Sequence, residues 1–207
     1  MYSKQKLNQA VISNLSTCES PTELLNSAEE LVKECPDSES AWFVLGAALK
    51  EAVAPEGMRC DPDSAKKHPR YPLLIRAFDR LIELNPEEPA HLWNRAMLRQ
   101  SLGLFSEAIE DLEDFVSLAD PSCAKDDDDF KGWLGAAYDH LGCNLLGVDR
   151  TEDALGALIK AVETNPNYRY AWEDLSMVYE ILGNDEKVAE CLGRAYVIAE
   201  AEKQSRR

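Results

Sequence analysis

Apolar residues recur at intervals of three and four near the carboxyl end of this 207-residue chain. A first stripe contains Trp172, Leu175, Ser176, Val178, Tyr179 and Leu182. Such spacing places side chains on one face of an α-helix. The sequence Gly183-Asn184-Asp185 interrupts the pattern, and a second stripe follows at Val188, Ala189, Leu192, Ala195 and Tyr196. The pattern therefore predicts two short helices that are joined by a tight turn and that bury one face on each other.

The same order of residues recurs elsewhere in the chain. Three prolines each stand six residues before a large apolar residue that begins a new helix, in the pairs Pro36 and Trp42, Pro86 and Leu92, and Pro166 and Trp172. A further unit contains Leu134, Gly135, Tyr138 and Gly142, followed by Ala154, Leu158 and Ala161. Recurrence in phase indicates an array in which each helical hairpin buries its apolar face on its neighbours.

This order resembles the tetratricopeptide repeat, a helix-turn-helix unit of about 34 residues. In the last unit the characteristic places of the family are held by Trp172, Leu175, Ser176, Tyr179, Gly183, Val188, Leu192 and Ala195. The resemblance implies an all-α fold, a right-handed superhelical solenoid of stacked antiparallel helix pairs. It also implies a function in protein binding.

The pattern divides the chain into an amino-terminal part and four repeats. Residues 1–36 are predicted to form a helical pair that is a degenerate repeat or a cap, with Ser20 and Pro21 at the start of its second helix. The four repeats span residues 38–86, 87–121, 126–166 and 167–200 within the region 37–207, which ends in a basic tail. Insertions are predicted at 55–71, as a solvated loop, and at 143–150, as a longer turn.

The net charge of -16 argues against nucleic acid and anionic membranes as partners, because both need clustered Lys and Arg. An acidic surface favours basic partners, and it also keeps a helical array soluble. No run approaches the roughly 18 uncharged apolar residues of a membrane span, and the amino end lacks the apolar core of a secretory signal. We therefore expect a soluble cytoplasmic protein, and a nuclear location is compatible with the same features.

The residues that carry chemistry in enzymes are scattered. The six cysteines form no C-x-x-C pair, and we interpret them as reduced thiols, several of which fill small gaps between helices. The three histidines lie in different repeats or in a loop, and the chain has no phosphate-binding glycine motif. The sequence therefore predicts no catalytic site, no cofactor and no metal site. An enzyme that uses the loop from Cys60 to His68 is an alternative, ranked third after the two binding functions given below.

The resemblance also implies a binding surface, because the first helix of each family repeat lines a concave groove. Carried over position by position, the predicted partner-binding groove consists of Phe43, Trp93, Asn94, Met97, Trp133, Asp139, Tyr170, Glu173, Asp174, Met177 and Glu180. It is apolar and aromatic near the first three repeats and acidic in the fourth. A peptide or helix with hydrophobic anchors and Lys or Arg residues would complement it.

Each groove residue also has a purely structural interpretation. Trp93, Met97 and Trp133 would suit packing between neighbouring helices. Asp139, Glu173 and Glu180 would suit a solvated acidic surface. These alternatives remain open from the sequence.

Some members of the family bind the acidic carboxyl terminus of a heat-shock chaperone through a clamp of Lys, Arg and Asn side chains. Asn94 matches the Asn of that clamp. The other clamp places are held by Phe43, Ala47, Asp129 and Trp133, none of which is a cation. A groove without cations repels a terminal carboxylate, so we expect no binding of this type.

The sequence thus predicts a non-catalytic protein-protein interaction module, an adaptor or assembly chaperone that binds a basic or amphipathic peptide in its groove. The alternative is a structural subunit of a larger complex or of a homo-oligomer, with no free peptide ligand.

Overall fold

The computed structural model describes residues 20–53, 62–119 and 128–205. The helix predicted at residues 4–16, the first part of the insertion at 55–71, and Cys18, Cys60 and Cys123 lie outside these ranges.

The described ranges contain ten α-helices and no β-strand, which confirms the all-α prediction. The helices are α1 (Pro21–Glu34), α2 (Glu39–Val53), α3 (Pro62–Lys67), α4 (Tyr71–Leu84), α5 (Pro89–Ser101), α6 (Phe105–Leu118), α7 (Asp128–Gly147), α8 (Thr151–Thr164), α9 (Arg169–Ile181) and α10 (Asp185–Ser205). The chain forms two compact units, of which the first reaches Leu104 and the second begins at Phe105.

The core of the first unit is built by α1, α2 and α4, with contributions from α3 and α5. Helix α1 begins as predicted, because the Ser20 hydroxyl accepts a hydrogen bond from the Glu23 amide at 3.2 Å. The core residues are Leu25, Ala28, Val32, Ala41, Trp42, Leu45, Ala48, Leu49, Val53, Ala65, Leu74, Ala77, Phe78, Leu81, Leu98 and Leu102. These positions repeat every three or four residues within each helix, as the pattern predicts.

Part of the first insertion is ordered helix and not loop. Residues 62–67 form α3, and Ala65 in its middle is buried in the core of the first unit. Arg70, just beyond α3, pairs with Glu29 of α1 at 3.3 Å. The predicted solvated loop is therefore wrong for residues 62–67, because one small apolar side chain reaches the core and holds this short helix there.

In the second unit, the helices form hairpins whose first and second members pack closely. Leu134, Leu141 and Leu145 of α7 are buried, as are Leu158 and Ala161 of α8. Gly142 of α7 leaves so little room that a Cβ atom built on it would lie 2.5 Å from Cγ of Leu158. Glycine at this position therefore allows α7 and α8 to approach each other.

The two tryptophans at the starts of repeats make the same local hydrogen bond. The indole of Trp42 donates to the carbonyl of Pro36 at 2.7 Å, and that of Trp172 donates to Pro166 at 2.9 Å. Each bond joins a helix to the proline turn six residues earlier. Trp42 is buried as predicted, whereas Trp172 is only partly buried.

The second insertion lengthens a helix more than it lengthens a turn. Helix α7 runs to Gly147, and Asn144 and Leu145 within the extension are buried. The turn that follows includes Asp149, whose φ of 60° is left-handed. The prediction of a turn insertion at 143–150 is therefore wrong for residues 143–147, because their apolar and amide side chains pack along the continuing helix.

Helix α10 buries only part of the stripe that the sequence predicts. Ala195 is buried as predicted, together with Cys191, whereas the predicted stripe residues Leu192 and Tyr196 are 50% and 66% exposed. The turn before α10 is as predicted, with Gly183 at a φ of 71°. In the part of the chain that the structure describes, no helix follows α10, and Leu192, Tyr196 and Val197 on this helix are exposed.

Replacing Gly142 by Ala should destabilise the fold by about 1 to 3 kcal/mol, because the added methyl group meets fully buried Leu158 and overpacks the α7–α8 contact. Gly156→Ala is the matched control, because Gly156 lies inside α8 with nothing near its Cβ position. That substitution should stabilise the protein by about 0.5 to 1 kcal/mol. Urea unfolding measures both values, and equal effects of the two substitutions would contradict the close packing.

Candidate partner-binding site

In the first unit, the predicted groove residues lie on α2 and α5. Phe43 is 48% exposed, while Trp93, Asn94 and Met97 are half-buried. Nε2 of buried His91 on α5 lies 3.1 Å from Oε1 of Glu39 on α2. The amino ends of these two first helices therefore approach each other through this pair of side chains.

In the second unit, the predicted residues Trp133 on α7 and Tyr170 and Met177 on α9 are large, apolar and exposed. Their exposed fractions are 53%, 54% and 46%. On α9, spacings of four and three residues place Tyr170, Asp174 and Met177 on one face. We refer to Trp133, Tyr170, Glu173, Asp174, Met177 and Glu180 as the α7–α9 face. Trp133 is thus more exposed than a packing residue of the core.

Arg169 modifies the acidic character of this face. Its guanidinium pairs with the carboxylate of Glu173, lies 3.8 Å from that of Glu202, and lies 4.3 Å from the ring centre of Tyr170. A second ring, that of Tyr168, meets Tyr170 edge-on at 5.7 Å. Glu173 is therefore ion-paired, and Tyr170 is held in place by two neighbours.

Asp139 is buried, in contrast to the solvated groove carboxylate that the sequence predicts. It is only 3% exposed, and its carboxyl group forms a hydrogen bond with that of Asp174. Burial, together with the charge of Asp174, raises the pKa of Asp139 to about 8. Near neutral pH these two carboxyl groups therefore hold one proton between them. The fold brings Asp139 and Asp174 together, and it removes Asp139 from the accessible face.

Cys143 completes a cluster with these two acids. Its thiol donates a hydrogen bond to Oδ2 of Asp174 at 3.0 Å, and burial raises the pKa of the thiol well above its usual value, so it stays protonated. Tyr168 lies close enough that the acids add to the effect of burial and raise its pKa to about 12. We call Asp139, Cys143 and Asp174 the acidic cluster.

The sequence pattern did not predict the acidic cluster, and it indicated Cys143 only as one of six reduced thiols. The spacing of four residues between Asp139 and Cys143 places them on one face of α7, and this was the available signal. The contact with Asp174 depends on the packing of α7 against α9, which local sequence does not reveal.

Residues 64–130 match the family model described as Tetratricopeptide repeat, and the helix pairs have the form of that repeat. This segment of the chain contains tetratricopeptide repeats. Small glutamine-rich tetratricopeptide repeat-containing protein 2 of Mycosarcoma maydis is 30% identical to this chain over 112 residues, which are 54% of its length. The chain spans only 28% of that relative's length.

Solved structures of repeat proteins resemble this chain over nearly its whole length. A MamA double mutant gives a TM-score of 0.72 at 17% identity and covers 98% of both chains. MamA from Desulfovibrio magneticus RS-1 gives 0.71 at 18% identity, covering 97% of this chain and 98% of the other. PilF of Pseudomonas aeruginosa gives 0.63 at 11% identity, covering 93% of this chain and 75% of the other. At these identities the likeness concerns the fold alone.

Tetratricopeptide repeats are in general non-catalytic protein-interaction modules, and the match over residues 64–130 supports a protein-interaction module in this chain. Among the helices at 20–53, 62–119 and 128–205, none combines the length and the apolar character needed to cross a bilayer.

Asp139→Asn should make the stability of the protein less sensitive to pH. Because the pKa of Asp139 is raised in the folded state, the folded chain binds this proton more tightly than the unfolded chain. The contribution of this proton to the free energy of unfolding is complete below about pH 4. It is lost as the pH rises towards 8, by at most about 1.4 kcal/mol per pH unit. The variant, which has no such proton, should therefore gain stability over the wild type as the pH rises.

Urea unfolding at about pH 5 and about pH 8.5 measures this difference. Glu152→Gln, which neutralises an exposed acid on α8, is the control and should show the same offset at both pH values. A pH-independent offset for Asp139→Asn would contradict the shared proton.

Proposed function

We propose that this chain is a non-catalytic adaptor or assembly chaperone that binds a peptide or amphipathic helix on the first-helix faces of its repeats. The observation that carries the proposal is the exposure of Trp133, Tyr170 and Met177 on the α7–α9 face. Large apolar side chains that stay half exposed on neighbouring helices are typical of protein docking sites. The proposed place of action is the cytoplasm.

The aromatic anchors suit tight binding at a low entropic cost. Tyr170 is already fixed between Arg169 and Tyr168, so binding orders it little further. Trp and Tyr are the residues that most often contribute 2 kcal/mol or more at the centre of an interface. In the first unit, Phe43 offers a further exposed aromatic ring, and half-buried Trp93 and Met97 lie on the same unit's first helices.

Charge supports a basic partner. The chain carries a net charge of -16, and Asp174 and Glu180 lie within one turn of Met177. A ligand with apolar anchors and adjacent Lys or Arg residues would match both features, with the charges contributing mainly to association rate and register. Glu173 contributes less to this attraction, because Arg169 pairs with it.

Peptide display against the full chain tests this function. We expect enrichment of peptides with two apolar anchors and flanking Lys or Arg. Trp133→Ala should weaken the enriched peptides about 30-fold, the equivalent of about 2 kcal/mol. Tyr196→Ala is the matched control, because Tyr196 is an exposed aromatic residue on α10, away from the first-helix faces. Equal affinity losses in both variants, or none in Trp133→Ala, would rule out the α7–α9 face as the docking site.

The basic character of the partner has its own test. Glu180→Gln should lower the association rate of a Lys-containing peptide severalfold at low salt and have little effect at high salt. Glu152→Gln changes the net charge equally but lies on the second helix α8, and it should change the rate less. If the two substitutions slowed association equally, only net charge, and not the acidic part of the α7–α9 face, would attract the peptide.

A second candidate function, a structural subunit of a complex or a homo-oligomer, is favoured by the open apolar stripe at the end of the chain. Ile181, Leu192 and Tyr196 on α9 and α10 are 63%, 50% and 66% exposed. Exposed apolar stripes of this kind are suited to covering by another subunit. Light scattering over a range of protein concentrations should detect self-association, and Leu192→Glu should abolish it. A monomer at all concentrations would remove the homo-oligomer from consideration.

A further inference from the structure

The acidic cluster brings three metal-binding groups of the second unit together. The ligand atoms of Asp139, Cys143 and Asp174 all lie within 4.8 Å of one another. Asp139 and Cys143 are held four residues apart on α7, and Asp174 approaches from α9. Two helices of one compact unit therefore fix all three groups before any ligand binds.

Asp139 provides a second and independent observation. The residue is 3% exposed, and its Oδ1 atom is buried without a hydrogen-bond partner among the described residues. This atom belongs to the same carboxyl group that meets Asp174, so it lies at the cluster. An unsatisfied buried oxygen destabilises the folded state, and folded proteins usually satisfy such an atom with water, an ion or a ligand.

The basic groups that the structure records around the cluster do not offset its charge. Arg169 pairs with Glu173 and Glu202. The cluster therefore places buried Asp139 and half-buried Asp174 close enough for one cation to bind both carboxylates.

We propose that Asp139, Cys143 and Asp174 form a binding site for a divalent transition-metal ion of borderline softness, such as Zn²⁺. Carboxylate and thiolate are both good Zn²⁺ ligands, and three protein ligands leave a coordination position for water or for a group of a bound partner. Mg²⁺ and Ca²⁺ fit less well, because they prefer sets of oxygen ligands and do not favour sulfur.

Metal binding at this site is an exchange of protons for the ion. The ion forms bonds to both carboxylates and to the thiolate, and the shared carboxyl proton and the thiol proton pass to the solvent. The two positive charges of the metal ion replace those of the two released protons, so the net charge of the cluster stays unchanged.

Titration of the chelator-treated full chain with Co²⁺ tests the site. We expect one equivalent to produce the near-ultraviolet charge-transfer band of a cobalt thiolate, and Zn²⁺ to displace it. Cys143→Ser should abolish this band. Cys191→Ser, which removes a buried cysteine of the same unit away from the cluster, should retain it. A wild-type chain without a saturable band, or a band that persists in Cys143→Ser, would overturn the proposal.

Asp139→Asn separates loss of a ligand from loss of the fold. The substitution removes a buried acid and should leave a folded protein by circular dichroism, while Co²⁺ affinity falls at least about 10-fold. A folded variant with wild-type affinity would show that Asp139 is not a ligand and would contradict the site. The result is independent of peptide binding, because the titration uses no partner and Trp133→Ala should leave the cobalt band unchanged.

Discussion

The close approach of first and second helices is the constraint on which the rest of the structure depends. Each hairpin is too small to form a core by itself, so its helices must bury one apolar face on each other and another on the next hairpin. At α7 and α8 this approach leaves no space beyond a hydrogen atom at Gly142, which faces Leu158. A fold held by such contacts has fixed helix positions, and fixed positions are what a preformed binding face needs.

The same packing creates the unusual chemistry of the second unit. When α7 lies against α9, the acidic side chain of Asp139 meets Asp174 and loses contact with water. The carboxyl pair then retains a proton near neutral pH, and Cys143 donates to it. This arrangement lowers stability unless a proton or a metal ion offsets the charge. Because this arrangement lowers stability and lies beside the proposed docking face, a role in binding explains it better than a role in stabilising the fold.

Two apolar surfaces remain open, and they support different interactions. Trp133, Tyr170 and Met177 lie on first helices beside acidic groups, where a basic amphipathic peptide would fit. Leu192 and Tyr196 lie on the last described helix, where another subunit would fit. Because Trp133, Tyr170 and Met177 lie on α7 and α9 whereas Leu192 and Tyr196 lie on α10, substitutions at these residues can separate peptide binding from self-association. The adaptor and the structural-subunit interpretations therefore concern different residues of the same unit.

Local sequence determined the helices of the repeats and their order, though not α3, because apolar spacing, the cap at Ser20 and the proline turns before Trp42 and Trp172 act within a few residues. It also indicated first-helix positions at which large side chains, such as Trp133, Tyr170 and Met177, are exposed. Only the tertiary structure decided that α7 continues through residues 143–147, that Leu192 and Tyr196 remain exposed, and that Asp139 is buried against Asp174. Those outcomes depend on how the helices pack against one another. The contact between Asp139 and Asp174, for example, joins residues about 35 positions apart, beyond the reach of any local pattern.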